Sequence, residues 1–232
     1  MNKKEARQLP KVLFVYLAAA AVFALVVGSI VFVLANSTSE FSQTINAGTL
    51  TTDIVDGSYV PVASPTVAMG AVTFSFACQP ATGTFGTATE NIYVQNPDAA
   101  DNGWTLAVAP PLTTNLWTVG GNTYDFNDPT GAGCTDGADA DARGGQMTVD
   151  PTGGTLLIGQ CASCATTGVS LGASAAYSEG VTNSVGLLSA AAGSDDIGDW
   201  RLRDIDISQQ IPAEQPAAAG YAVSMVLTVA TL

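Results

Sequence analysis

Histidine does not occur anywhere in the 232 residues, so the commonest general base, the commonest zinc ligand and the usual partner of a nucleophilic serine or cysteine are all missing. That absence argues against an enzyme. Positive charge is almost as scarce, with seven Lys and Arg against twenty Asp and Glu and a formal charge of -13. Lys3, Lys4, Arg7 and Lys11 precede residue 12, and only Arg143, Arg201 and Arg203 follow residue 35. Nucleic acid demands a cationic surface, so that partner is set aside. Aromatic residues make up only 7% and Gly numbers 24, yet Val, Ile, Leu and Phe recur at regular positions, which is not the composition of a disordered chain.

One long apolar run is present. Val12 to Ala35 carries no charge over 24 residues, which at about 1.5 Å per residue spans a hydrocarbon core of about 30 Å with some tilt. The nearby basic residues all precede it, so the positive-inside rule puts residues 1–11 in the cytoplasm and the rest outside. A cleaved signal peptide is the rival reading, because Val33-Leu34-Ala35 makes an acceptable cleavage site, and it would leave the protein secreted. The run is longer than the usual apolar region of a signal peptide, which favours a membrane anchor. Residues 36–45 then read as a polar tether and residues 46–232 as one extracellular domain at the cell surface.

Within that domain the apolar period is two. Val72, Phe74, Phe76 and Cys78 alternate with small or polar residues, as do Trp104, Leu106 and Val108. Tyr221, Val223, Met225, Leu227 and Val229 form an apolar face whose opposite face is hardly more polar, which predicts a covered, central strand. Residues 90–96, 146–150, 155–159, 168–172 and 204–208 add further strands, while residues 184–193 leave room for a helical turn or two. Short strands between Gly, Pro, Asn and Asp turns predict an all-β fold: a single antiparallel β-sandwich or jelly-roll-like ectodomain preceded by one N-terminal transmembrane helix.

A Trp and a Leu two apart on a strand are in the first place core residues. Their setting adds a resemblance. Gly103, Trp104, Leu106 and Val108, followed near the end by Ile211, Pro212, Ala213, Pro216, Gly220 and Tyr221, make residues 70–232 resemble the WxL-domain proteins of bacterial cell surfaces. The distal Trp-x-Leu of that pattern is absent, with Leu227 and Val229 near its place, and Trp200-Arg201-Leu202 lies upstream of it. The resemblance implies a non-catalytic, β-rich module held to peptidoglycan or another envelope glycan, with Trp104 and Leu106 as the envelope-binding residues. A second resemblance, of residues 39–50 after the apolar run, is to biofilm-fibre proteins of the TasA and camelysin type, and it implies self-association of a surface or fibre subunit. An adhesin-like, ligand-binding ectodomain is a third reading.

Two further clusters carry chemistry. Residues 124–145 hold Asp125, Asp128, Asp136, Asp139 and Asp141 among glycines, which is either a calcium loop through Asp136, Asp139 and Asp141 or a solvated acidic surface. Counted as a twelve-residue calcium loop from Asp139, it places Arg143 at position 5, where an oxygen is needed. The pairs Asp195, Asp196 and Asp204, Asp206 read as charge on an outer face. The four cysteines, Cys78, Cys134, Cys161 and Cys164, read as two disulfides in an exported chain, with Cys161–Cys164 and Cys78–Cys134 one of three pairings. A redox role for the CASC stretch lacks the surrounding βαβ pattern. No other cofactor is expected.

Overall fold

The alternating stretches become strands wherever a neighbour is available to take up their backbone hydrogen bonds. The computed structural model describes residues 13–23, 42–98, 100–137, 141–194 and 196–232. The chain divides into two compact units, Met1–Ile45 and Asn46–Leu232. In the first, residues 13–23 are helical and expose Leu13, Phe14, Leu17 and Phe23. No helix among the described residues is long and apolar enough to cross a membrane. Of the expected span, Val12 and residues 24–35 lie outside the described residues.

The second unit is built of strands: β1 (Thr51–Val55), β2 (Gln79–Phe85), β3 (Asn91–Asn96), β4 (Trp104–Ala109), β5 (Trp117–Val119), β6 (Asn122–Tyr124) and β7 (Gln146–Asp150). After these come β8 (Thr155–Ile158), β9 (Val169–Leu171), β10 (Ala175–Ala176), β11 (Val185–Ala190), β12 (Gly198–Arg203), β13 (Ile205–Ile211) and β14 (Val226–Thr231). They form three four-stranded antiparallel sheets, ordered β1-β3-β12-β8, β10-β7-β13-β2 and β14-β4-β11-β9, and the β5-β6 hairpin. The three larger sheets share one core. Ile92, Leu202, Val149, Ile207, Leu106 and Leu188 belong to a single buried cluster. Trp104 of β4 meets Trp200 of β12 at its centre, with ring centroids 5.4 Å apart.

Four expectations change. Residues 71–78 alternate but form no strand: after the Met69–Gly83 bridge the segment leaves the β2 edge, held by Glu214 N donating to Ser75 O and Gln79 Nε2 donating to Thr73 O. Phe74 and Phe76 are therefore exposed, at 46% and 80%, and pack edge-on against each other. Residues 185–190 are a strand, β11, and not a helical turn. A bulge between Gly186 and Leu188 turns both Leu187 and Leu188 inward, which breaks the period of two in the sequence. The terminal strand is an edge and not a centre: β14 pairs with β4 alone, and its Val226, Thr228 and Ala230 face is exposed. Asp196 is buried, at 1% exposure, whereas Asp204 and Asp206 lie exposed as expected, and Asp195 is outside the described residues.

Disulfides join Cys78 to Cys134 and Cys161 to Cys164, across 56 and 3 residues of sequence. By the loop-closure relation the first stabilises by about 4 kcal/mol and the second by under about 2 kcal/mol. Replacing Cys78 and Cys134 by Ser should therefore lower denaturant stability by more than twice what replacing Cys161 and Cys164 does. Equal losses in urea titrations would contradict this ranking.

Candidate functional site

The Trp104 seat begins with a glycine. Gly103 has φ +74°, and a Cβ there would lie 2.6 Å from Ala190 O and from Ala192 N, so only Gly fits the turn into β4. Its N–H donates to Asp196 Oδ2 at 2.9 Å, and the indole Nε1 of Trp104 donates to Asp196 O at 3.0 Å. Asn96 Nδ2 donates to the same carbonyl at 2.7 Å. One buried aspartate thus ties the end of β3, the start of β4 and the approach to β12. Burial pushes the Asp196 carboxyl above the ordinary carboxylate range, the Gly103 N–H opposes that, and Asp101, within hydrogen-bonding reach, adds to it. Trp104 and Leu106 are wholly buried, so neither offers a surface atom to a glycan.

A second buried aspartate organises the CASC turn. Asp199, on β12, accepts from Gln160 N at 2.6 Å and from Cys161 N at 2.8 Å, and Tyr93 Oη donates to it at 2.7 Å. Trp200 Nε1 donates to Ala165 O just beyond the turn. Cys161, Cys164 and Asp199 bring their ligand atoms together as a metal site would, but the two sulfurs are bonded to each other. On the same sheet face Arg201 lies over the Tyr59 ring, 5.1 Å from its centroid, and Tyr59 packs edge-on against Tyr93. Asp199 escaped the sequence reading, and Asp196 was read there as charge on an outer face. Asp199 left a signal, since Asp is depleted inside strands unless something binds it. Asp196 left none, because a Ser-Asp-Asp turn looks the same solvated or buried.

The acidic loop separates into two halves. Asp125 and Asp128 are buried, and their carboxylates accept backbone N–H groups: Asp125 from Phe126 and Asn127, Asp128 from Thr130 and Gly137. They fold the loop. Asp136 and Asp141 are exposed, Asp141 accepts Arg143 N, and Asp139 lies outside the described residues. Among the described residues neither Asp136 nor Asp141 belongs to a group of three ligating side chains.

A further surface feature lies beside β14. A cleft of about 500 Å3 opens between β1 and residues 222–227, with Val108, Trp117, Val149 and Ile207 on its apolar lining and Met225 and Leu227 at its side. Among the described residues nothing pairs with the second edge of β14. Comparison with family models, with curated proteins and with solved structures gives no match.

The Tyr93 phenol is pushed up to about 12, first by burial and then by its hydrogen bond to Asp199. A proton held more tightly in the folded state stabilises the fold below the ordinary phenol value of 10, and that stabilisation is lost as pH rises through about 12. Wild type should therefore lose stability more steeply with pH between 10 and 12 than Tyr93→Phe. Parallel slopes in denaturant titrations over that window would contradict the assignment.

Proposed function

We propose that this chain is a non-catalytic structural protein of the cell surface, in which residues 12–35 anchor a β-sandwich ectodomain in the membrane and β14 joins it to further copies. The observation that carries this reading is the β14 edge. Residues 221–232, which include β14, hold no charged side chain and no proline, the outward face of β14 exposes Val226, and a strand of that kind is a template for another strand. Monomeric proteins protect such edges with lysine, proline or a bulge. Antiparallel pairing of two β14 edges is self-complementary about a two-fold axis and brings no like charges together.

The side-by-side placement of β4 and β14, with Leu227 opposite Val108 and Val229 opposite Leu106, supports kinship with the WxL pattern, whose two halves would occupy these strands. The two disulfides suit an oxidising, extracellular site. Burial of Trp104 and Leu106 moves any glycan contact to other residues, which makes envelope binding the weaker use of this domain.

Full-length protein extracted in mild detergent should form species larger than one chain by light scattering. Val226→Lys with Ala230→Lys should weaken association at least tenfold while leaving the melting temperature almost unchanged, because both side chains already face solvent. A wild type that is a single chain at every concentration, or a double-lysine variant that associates equally, would overturn the reading. Co-sedimentation of single chains with purified cell wall would replace it with envelope binding.

A further inference from the structure

The Asp196 carboxylate has one oxygen that the fold satisfies and one that it does not. Oδ2 accepts the Gly103 N–H, whereas Oδ1 is buried and has no hydrogen-bond partner. The residue is 1% exposed. A buried, unpaired carboxylate oxygen costs several kcal/mol unless a proton or a cation meets it.

What faces Asp196 is a second carboxyl group. Asp101 stands within hydrogen-bonding reach of it, in the turn that leads to Gly103. Asp101 is exposed, sits at φ +50°, and is held in place by Gly193 N donating to its Oδ1 at 3.0 Å. Both loops are thus fixed by backbone donors, and each presents an acidic side chain to the other. No Lys or Arg hydrogen-bonds or ion-pairs with either group among the described residues. Two carboxylates in contact repel unless a positive charge lies between them.

We propose that Asp101 and Asp196 form a calcium site that clamps the turn before Trp104 to the turn before β12. Calcium suits the place because its coordination is all-oxygen, flexible in number and completed by water. Asp196 supplies the buried oxygen and Asp101 the exposed one, so the ion enters from the Asp101 side. This site is separate from the acidic loop at residues 124–145, and it does not depend on the assembly reading above.

Terbium tests the site directly, because it substitutes for calcium and its luminescence is excited by a nearby indole. The Trp104 Nε1 donates to the backbone carbonyl of Asp196, which sets the indole beside the site. Terbium added to the full chain in mild detergent should give saturable, indole-sensitised emission that calcium displaces, and calcium should raise the melting temperature relative to sodium chloride of equal ionic strength. Asp101→Asn should weaken terbium binding at least tenfold and remove the calcium shift with the fold intact, since Asn tolerates the positive φ. Asp141→Asn should change neither. Absence of a saturable signal, its survival in Asp101→Asn, or its loss in Asp141→Asn would overturn the site. So would stabilisation by mild acid in a chelator with no response to calcium, which would mean that the two carboxyls share a proton instead.

Discussion

Burying an indole obliges the fold to provide an acceptor for its N–H, and in this domain the acceptor is the backbone carbonyl of Asp196. Much of the architecture follows from that one bond. The same carbonyl receives Asn96 at the end of β3, and the carboxylate of the same residue receives Gly103 at the head of β4. The β3–β4 connection and the approach to β12, some 90 to 100 residues apart in sequence, are thereby fixed beside one another. Trp104 then lies against Trp200, joining the β1-β3-β12-β8 sheet to the β14-β4-β11-β9 sheet through their largest side chains. Trp200 in its turn is anchored to Ala165, beyond the CASC turn that Asp199 folds.

The strands most visible in the sequence were those with a half-buried face and turn residues on both sides. β4 lies where period-two alternation placed it, β3, β7, β8 and β9 fall on the other short runs read as strands, and β13 overlaps the run at 204–208. β2 was hidden by Pro80 and Gly83, which are unfavourable inside a strand but tolerated here because β2 is an edge. The β5-β6 hairpin is only three residues a side around Gly120 and Gly121, too short for a period to register. Residues 71–78 failed in the opposite sense. Alternation says that a segment can be a strand, and whether it becomes one depends on a free neighbouring edge, which is a property of the whole chain.

For the site, residue type was legible and burial was not. Trp104 and Leu106 could be seen to be special, and both turn out to be core. The conspicuous acidic loop places Asp136 and Asp141 in solvent, while the undistinguished Asp196 carries the seat of Trp104. Charge clusters in sequence mark where carboxylates are many; the consequential ones are those that backbone donors or a neighbouring carboxyl draw inward. The uncharged β14 edge was equally invisible as an edge, because a strand apolar on both faces reads as central. Its second edge is unpaired among the described residues, and its outward face is exposed.

The dependence of the domain on the Trp104 seat is tested most directly by the stability of Trp104→Ala in denaturant, measured beside Trp104→Phe. Deleting the indole should cost about 3 to 5 kcal/mol, as expected for a fully buried aromatic residue. Phe keeps a ring against Trp200 but deprives the Asp196 carbonyl of its indole donor, and should cost less than Ala. A loss under about 1 kcal/mol for Trp104→Ala would contradict the central role given to this contact.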